Sequence, residues 1–391
     1  MEEWNIIKAY DYCYNVTDGT HDSPKQTEFG KYLITSKHIK DNRIDFESAY
    51  KISEDDYNKI ITRSKVDQWD IIISMIGAYC GFCCIESSKQ TDYAIKNVGL
   101  LKVGNELKCK WLYYYLTSPH GKQQLSKLRS GSSQPYISLG ALRNLDIPVP
   151  NENTMSDIVS VLSSLDSKIE LNRCINDNLE QQAQLLFDNL INASDWSTTQ
   201  FLSELSEINP PRKLSKGEYA PFVEMSNMPT SGSFPSRIDY KEYNGGMKFR
   251  NGDTIMARIT PCLENGKAAY VNFLKENEIG FGSTEYIVLA PKKTISSSFL
   301  YFLVRNKEFV DYAVKHMNGS SGRQRVSGDT IGNYQLPILD RNKLSIFIAI
   351  ADRTLSKIRQ NSFEIINLAK QRDTLLPKLM FGELKINDLN C

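Results

Sequence analysis

Histidine and long apolar runs are the scarcest features of this 391-residue sequence. It has only four histidines, at positions 21, 38, 120 and 316. They show neither HExxH nor another metal-ligand spacing, so no metal site is expected. No stretch approaches the roughly 18 apolar residues of a membrane helix, and the first residues lack the basic and apolar regions of a signal peptide. We therefore expect a cytoplasmic protein that does not act at a membrane.

The eight cysteines are scattered along the chain and lack the dense, regular spacing of a secreted disulfide scaffold. The segment Cys80-Gly81-Phe82-Cys83-Cys84 contains a CxxC pattern. A structural zinc site needs a second pair of soft ligands, and none follows at finger-like spacing. We interpret these cysteines as reduced thiols that act as small buried apolar residues on a strand.

Recognisable cofactor motifs are also missing. Asn265-Gly266-Lys267 is followed by Ala268 and has neither the earlier glycine nor the Ser/Thr of a Walker loop. Asn209-Pro210-Pro211-Arg212 resembles the Asn-Pro-Pro-aromatic motif of amino-methyltransferases, but Arg212 stands where the stacking ring is needed. No Gly-rich turn for S-adenosylmethionine is evident. We expect a non-catalytic chain without cofactors, in which this Pro-Pro segment is a loop; a nuclease site of dispersed carboxylates would leave no linear motif.

The composition is that of a folded protein, with 41% hydrophobic and 10% aromatic residues. Its length exceeds what one hydrophobic core usually organises, so at least two domains are expected. The net charge of +1 does not bear on nucleic-acid binding, because a DNA-binding protein needs only local basic patches.

The second half of the chain repeats the first at an offset of about 189 residues, a separation that is too long for a solenoid. The matching segments are Ser167-Lys168-Ile169 with Ser356-Lys357-Ile358, Gly131-Ser132-Ser133 with Gly319-Ser320-Ser321, Ile147-Pro148 with Leu336-Pro337, and Trp111-Leu112-Tyr113 with Phe299-Leu300-Tyr301. The same parts therefore occur in the same order, which indicates a duplicated domain.

Each half begins with short apolar runs between polar turns, which predict strands at 32–34, 70–76 and 286–290. Short helices are expected around 110–116 and 298–304. Each half then becomes helical, with apolar residues at heptad spacing over 162–190 and 354–379. Pro377 should kink or end the second helix near its last turn. The seam includes Asn172 and Asn361, which either select the register of packed helices or lie at a wet edge.

Two loops at equivalent positions of the repeat combine glycines with polar side chains suited to base edges and phosphates. Taken alone, either loop is equally compatible with an ordinary surface loop. Further candidates are isolated basic residues near strands and the loop Asp18 to Asp22, which matches the Pro-Pro loop in position. The candidate DNA-binding residues are Thr20, His21, Lys37, Arg129, Ser132, Ser133, Gln134, Lys248, Arg250, Arg258, Ser320, Ser321, Arg323, Gln324 and Arg325.

The order of these parts resembles the specificity subunit of type I restriction-modification enzymes. The resemblance covers nearly the whole chain and is most specific in Asp18-Gly19-Thr20-His21, in the run from Leu145 to Pro150 and in the C-terminal run from Arg372 to Leu384. It implies an α+β fold in which two tandem mixed α/β target-recognition domains are separated by two long helices that form an antiparallel coiled coil.

The resemblance also implies a function and partners. Each domain would read one half of a bipartite, asymmetric site in double-stranded DNA, with the helices holding the domains a little over one DNA turn apart, which is about 34 Å. Two methyltransferase subunits would dock on the helices, and the restriction and translocase subunits would join that core. We expect target-recognition domains at 1–155 and 195–343, a central helix at 156–194 and a C-terminal helix and tail at 344–391.

Two other interpretations stay open at this point. A methyltransferase or nuclease with a fused specificity domain would need a catalytic region, for which the chain has no space left. A coiled-coil scaffold with two protein-binding heads would not bind duplex DNA with a salt-dependent affinity.

Overall fold

The chain folds into two compact units that we describe separately. Unit 1 comprises residues 1–167 and 368–391, and unit 2 comprises residues 168–367. The computed structural model describes residues 4–40, 43–131, 134–320 and 322–384. Because the chain leaves unit 1, forms unit 2 and returns, each unit contains segments of two long helices.

The strands of unit 1 are β1 Asn5–Lys8, β2 Asn15–Asp18, β3 Lys31–Thr35, β4 Ile39–Lys40, β5 Arg43–Ile44, β6 Tyr50–Ile52, β7 Asp70–Ser74, β8 Cys83–Ile85, β9 Tyr93–Lys96, β10 Val98–Lys102 and β11 Asp146–Val149. Its shorter helices are α1 Ala9–Tyr12, α2 Glu54–Ser64, α3 Glu106–Thr117, α4 Pro119–Lys127 and α5 Leu139–Arg143.

The main sheet of unit 1 is antiparallel and has the strand order β2-β10-β7-β8. Strand β7 is a run of isoleucines that is buried along its whole length, as β-branched residues favour. A second sheet has the order β6-β3-β9, with β3 parallel to β9. Two small pairs, β1 with β11 and β4 with β5, complete the unit. The core packs the main sheet against α3, whose first turn is capped by the Asn105 side chain.

The strands of unit 2 are β12 Thr199–Phe201, β13 Ser206–Ile208, β14 Tyr219–Val223, β15 Asp239–Glu242, β16 Lys248–Phe249, β17 Thr254–Ala257, β18 Ala268–Tyr270, β19 Gly280–Gly282, β20 Tyr286–Pro291 and β21 Gln335–Pro337. The long helix α6 Glu152–Asn192 precedes these strands, and the shorter helices α7 Leu202–Leu205, α8 Ser297–Arg305, α9 Lys307–Lys315 and α10 Gly328–Gly332 lie among them.

Unit 2 repeats the topology of unit 1. Its main antiparallel sheet has the order β13-β20-β17-β18, which corresponds strand by strand to β2-β10-β7-β8. Its second sheet, β15-β14-β19-β16, again contains one parallel pair, β14 with β19. The pair β12 with β21 corresponds to β1 with β11. The duplication inferred from the sequence is therefore confirmed, and so are the α+β class and the helices expected near 110–116 and 298–304.

The long helices α6 and α11 Arg341–Met380 are both longer than the heptad patterns from which they were inferred. The additional turns lie at their N-termini, where the side chains of Asn151 and Asp340 accept hydrogen bonds from backbone N–H groups of the first turn. Pro377 lies within the last turn of α11, which ends three residues later at Met380. The sequence pattern thus located the helices but missed their capped first turns.

The two helices run antiparallel in unit 2. Asn172 Nδ2 donates to Glu364 Oε2 at 3.0 Å, and Asn361 Nδ2 donates to Asn176 Oδ1 at 2.8 Å. One residue number rises as its partner's falls, which defines the antiparallel direction. The side chains of Asn172 and Asn361 are buried, with exposed fractions of 2% and 1%, so the alternative of a wet seam edge is wrong. In unit 1, Leu162 of α6 and Leu379 of α11 share one apolar core.

Cys80, Cys83 and Cys84 are buried, as interpreted from the sequence. Burial raises the pKa of Cys83 to about 12, so its thiol is protonated at neutral pH. Within the described ranges, no group of three metal-binding side chains occurs. Nor does any described helix have the length and apolar character to cross a membrane.

Candidate nucleic-acid interface

The loop 318–325 of unit 2 is closed by its own backbone. Asn318 and Arg325 exchange two hydrogen bonds, each with an N–H donating to the other's carbonyl at 2.9 Å. The loop is also tied to the segment after β17, because the N–H of Thr260 donates to the carbonyl of Gln324 at 3.1 Å. The tip of the loop is therefore presented from a fixed base.

The loop 130–136 of unit 1 has the same frame. Ser130 and Tyr136 exchange two backbone hydrogen bonds of 2.8 and 2.9 Å, and the N–H of Gly77, after β7, donates to the carbonyl of Pro135 at 2.9 Å. Tyr136 consequently occupies in unit 1 the place that an arginine occupies in unit 2. The two loops therefore share one pattern of backbone hydrogen bonds and carry different side chains on it.

A glycine opens each loop directly after the closing residue. Gly131 has φ +85° and Gly319 has φ +131°, conformations that an L side chain adopts only with strain. A Cβ on Gly319 would also lie 3.1 Å from the carbonyl oxygen of Arg323. The glycine of each Gly-Ser-Ser repeat therefore occupies a backbone position that favours glycine.

Arg325 is held by a carboxylate. Its Nε lies 3.0 and 2.9 Å from the two carboxyl oxygens of Glu285, and its Nη2 lies 2.7 Å from Glu285 Oε1. Its Nη1 donates to the carbonyl of Arg323 at 3.2 Å. Hydrogen bonds from Arg325, opposed by partial burial, hold the pKa of Glu285 below its usual range, and the charge of Arg258 contributes. The guanidinium of Arg325 is thus engaged within the protein.

The tip of this loop is more open. Ser320 and Arg323 are exposed and Gln324 is half-buried; within the described part of the chain, the Arg323 side chain has no hydrogen-bond or ion-pair partner. Ser321 lies outside the described residues. Arg258 follows directly after β17, and its backbone N–H donates to the carbonyl of Glu285 at 3.0 Å.

The candidates in the loop of unit 1 have different surroundings. Arg129 is exposed, and its Nη2 donates to the carbonyl of Cys80 at 2.5 Å. Gln134 is exposed, while Ser132 and Ser133 lie outside the described residues. Tyr136, which the sequence analysis did not select, presents 45% of its surface. An amide and an aromatic side chain thus take the place of the arginines of unit 2.

His21 belongs to a polar cluster at the end of β2. Its Nδ1 lies 3.0 Å from Asn97 Oδ1, and its Nε2 lies 3.1 Å from Asp18 Oδ2. Arg63 of α2 pairs with the other oxygen of the same buried carboxylate. Thr20 forms a bridge to β9 and is half-buried. The imidazole is therefore oriented by two partners while it stays exposed to solvent.

Most of the unit 1 candidates meet at one end of the main sheet. Ser36 Oγ donates to the carbonyl of Asn97 at 3.0 Å, which joins the His21 cluster to the turn 36–38 that carries the exposed Lys37. This turn contacts the turn 77–79, which in turn binds the loop 130–136. The loops that carry Thr20, His21, Lys37 and Gln134 therefore adjoin one another, although the sequence separates them widely.

Lys248 and Arg250 lie elsewhere in unit 2. Lys248 Nζ donates to the carbonyls of Arg212 and Leu214 at 3.1 and 3.0 Å, and Arg250 lies before β17 whereas Arg258 follows it. The four residues of the strand between Arg250 and Arg258 span about 13 Å at the usual rise. The structure does not bring Lys248 and Arg250 to the loop 318–325, and their contact with DNA stays a prediction.

The Pro-Pro segment has a structural explanation. Asn209 adopts φ +53° and its Oδ1 accepts a hydrogen bond from the N–H of Val288. Arg212 forms a buried ion pair with Asp253, with Nη2 to carboxyl oxygen distances of 2.5 and 2.7 Å. The segment is a loop, as expected, and Arg212 holds that loop against the start of β17.

Glu285, Asn97 and Tyr136 were not predicted from the sequence. The registers of the main sheets pair Tyr286 with Ala257 and Val98 with Ser74, so Glu285 and Asn97 each immediately precede the corresponding central strand. Extending the repeat alignment to this position would have shown that the two units differ there. No linear sequence motif marks the position of Glu285 and Asn97.

Two copies of one α+β unit, each with a polar loop on the same backbone frame, define a duplicated-domain protein. The chain matches the model of the family described as type I restriction modification DNA specificity domain over residues 1–181 and 194–343. It therefore belongs to that family.

Individual relatives agree with this assignment. The MjaIX specificity subunit of Methanocaldococcus jannaschii is 26% identical over 314 residues, which cover 72% of this chain and 70% of the relative. The EcoAI specificity subunit of Escherichia coli is 33% identical over 149 residues, 37% of this chain and 25% of the relative. The crystal structure of the S subunit from M. genitalium has the same fold, with a TM-score of 0.58 at 17% identity over 96% of both chains.

Proposed function

We propose that this chain is the DNA-sequence specificity subunit of a type I restriction-modification complex. The observation that carries the proposal is the pair of loops 130–136 and 318–325, which share one backbone frame and differ in their side chains. Because the backbone frame is duplicated, the protein has two equivalent binding surfaces. The different side chains at the tips of the two loops let these surfaces bind different DNA sequences. The target is then bipartite and asymmetric.

The proposed contacts fall into two groups, since phosphate contacts position a protein and base-edge contacts specify the sequence. Arginine suits guanine and Gln or Asn suits adenine, so Arg323, Gln324 and Gln134 are the proposed base readers. Serines and basic side chains around them are proposed to bind phosphates or to support the loops; these are Ser132, Ser133, Ser320, Ser321, Lys37, Arg129 and Arg258. Thr20 and His21 complete the surface of unit 1.

The chain is non-catalytic in this proposal, and its partners supply the chemistry. Two methyltransferase subunits dock on α6 and α11, and the restriction and translocase subunits join them. We assign the two reading domains to residues 1–155 and 195–343, with helical segments at 156–194 and 344–391. The distance between half-sites follows from these helices and is expected to be a little over one DNA turn.

Methylome sequencing tests the proposal. The chain is co-expressed with the methyltransferase subunit of its own system in a host that lacks such a system, and that subunit is expressed alone as the control. We expect methyladenine at one bipartite, asymmetric motif only when this chain is present. The spacer of the motif then measures the distance between half-sites.

A matched pair of variants assigns the half-sites. Arg323→Ala should relax one half-site and Gln134→Ala the other, each leaving its opposite half-site unchanged. Methylation that is independent of this chain would contradict the proposal. Binding without any preference for duplex DNA or dependence on salt would favour the protein-binding scaffold instead.

A further inference from the structure

The residue before the central strand of unit 2, Glu285, connects the sheet to the loop 318–325. Its carboxylate binds Arg325 through both oxygens, and its carbonyl accepts the backbone N–H of Arg258. Bidentate arginine–carboxylate pairs fix geometry as well as supplying energy. Through its backbone and its side chain together, this one residue joins the end of β17, the start of β20 and the base of the loop.

The pairing changes which arginine is available to DNA. Guanine recognition uses two parallel N–H groups of one guanidinium. In Arg325 the edge formed by Nε and Nη2 faces Glu285, and Nη1 faces the carbonyl of Arg323. Arg323 is exposed and keeps its guanidinium without a partner among the described residues. The hydrogen bond from Arg325 Nη1 to the carbonyl of Arg323 also restrains the backbone at Arg323.

The surroundings of Glu285 are rich in donors. The hydrogen bonds of Arg325 are the main cause of the lowered pKa of the Glu285 carboxyl group, and the charge of Arg258 also lowers it. Two buried polar atoms beside the loop, Arg258 Nε and Thr260 Oγ1, have no hydrogen-bond partner within the described residues. Glu285 offsets the charge of Arg325, and the guanidinium groups of Arg258 and Arg323 are two further positive charges on the connected segments. An exposed guanidinium without a partner among the described residues, such as that of Arg323, fits a polyanion.

We infer that Glu285 is a positioning residue for DNA recognition: it holds Arg325 as part of the loop frame, so that Arg323 is the guanidinium that reads the half-site of unit 2. This inference rests on the proposed specificity function and names the residue that positions the base-reading arginine in unit 2. In unit 1 the equivalent position is Asn97, whose side chain contacts His21. The same place in the sheet therefore orients a different recognition residue in each unit.

The test uses the complex of the full chain with its methyltransferase partner. Fluorescence anisotropy measures affinity for a duplex containing the methylated motif and for duplexes with one substituted base pair, at several salt concentrations. The variants are Glu285→Gln, Arg325→Gln, their double variant and Arg323→Ala. Glu276→Gln is the matched control, because Glu276 is an exposed carboxylate of the same unit.

Glu285→Gln and Arg325→Gln should each lower discrimination by about 5- to 100-fold at the same position of one half-site. The double variant should lose no more than either single variant, because both act on one contact. Arg323→Ala should lower discrimination there at least as much, whereas Arg325→Gln should leave the salt slope unchanged because Arg325 contacts no phosphate in this inference. Glu276→Gln should behave as the wild type.

Three results would overturn the inference. In the first, Glu285→Gln discriminates at every base pair as well as Glu276→Gln does. In the second, Glu285→Gln weakens binding to all duplexes equally. In the third, Arg325→Gln reduces the salt slope by about one and loses more discrimination than Glu285→Gln. In each case a wild-type complex that selects the motif leaves the specificity function intact. A wild-type complex without any motif preference would overturn both proposals. Thermal unfolding of each variant checks that the substitutions leave the fold in place.

Discussion

Replacing Arg212 by methionine tests how unit 2 is held together beneath its recognition surface. Arg212 and Asp253 form an ion pair whose side chains are only 7% and 2% exposed. The carboxylate also accepts the backbone N–H of Arg250 at 2.8 Å. Methionine fills much of the space of the arginine stem, so Arg212→Met removes the charge and its hydrogen bonds with little loss of packing.

The magnitude follows from burial. A buried ion pair adds little compared with an apolar pair, but removing one partner leaves an uncompensated charge and costs about 3–5 kcal/mol. In Arg212→Met one backbone N–H remains for a carboxylate with almost no access to water, so we expect a loss in this range at pH 7. The double variant Arg212→Met/Asp253→Asn removes both charges and should recover more than half of that loss.

The loss should depend on pH in a defined direction. Burial raises the pKa of Asp253 above its ordinary value of 3.8, opposed by the Arg250 N–H and the Arg212 guanidinium. Without Arg212 this pKa rises further, because the charged form is stabilised less. The folded variant then takes up a proton as the pH falls, so its deficit relative to the wild type should shrink between pH 7 and pH 4.

Urea denaturation of the full chain, followed by tryptophan fluorescence, gives these free energies. Arg237→Met is the matched control, because Arg237 pairs with Asp239 while 72% of its side chain is exposed; such surface pairs contribute about 0–1 kcal/mol. The reasoning is refuted if Arg212→Met costs no more than Arg237→Met, or if adding Asp253→Asn increases the loss.

Three further outcomes are expected. Asn361→Leu leaves Asn176 without its 2.8 Å donor and should cost about 1–3 kcal/mol in urea denaturation; an unchanged midpoint would contradict the hydrogen-bonded seam. Hydrogen bonds from Arg325 lower the pKa of Glu285, so the pair stabilises the fold at pH values above the ordinary carboxyl pKa. The higher melting temperature of the wild type relative to Glu285→Gln should therefore disappear as the pH falls below about 4. A constant difference in melting temperature down to pH 3 would contradict this prediction. Gly319→Ala forces an alanine to φ +131° and should weaken duplex binding in anisotropy titrations by about 1–2 kcal/mol; equal affinity would show that the loop tolerates another backbone conformation.

Much of the architecture could be predicted from the sequence because its signals are local or repeated. Heptad spacing located α6 and α11, and the 189-residue offset revealed the duplication. The first turns of both helices were missed, although Asn151 and Asp340 are residues typical of N-caps. The burial of Asn172 and Asn361 required the structure, because a heptad position does not say how closely two helices approach.

The recognition surface was predicted only in outline. The Gly-Ser-Ser repeat correctly located two equivalent loops, since a turn that needs glycine leaves a local trace in the sequence. Composition could not separate Arg323 from Arg325, because the difference is set by Glu285, some 40 residues away in the chain. Nothing in the sequence distinguished Lys248 from the exposed Lys37. In the structure, the backbone carbonyls of Arg212 and Leu214 accept hydrogen bonds from the ammonium group of Lys248.

The sequence by itself determined the duplication and the alternation of strand-rich and helical regions, because periodicity and repetition are properties of the linear chain. The resemblance of its motifs, in their order, to those of a DNA specificity family implied the α+β class and the family. Only the tertiary structure decided which charged side chains are engaged within the protein and which face solvent. Ion pairs such as Arg212 with Asp253 and Arg325 with Glu285 join residues from different strands and loops. Their partners are chosen by the packing of the sheets, which spacing along the chain does not encode.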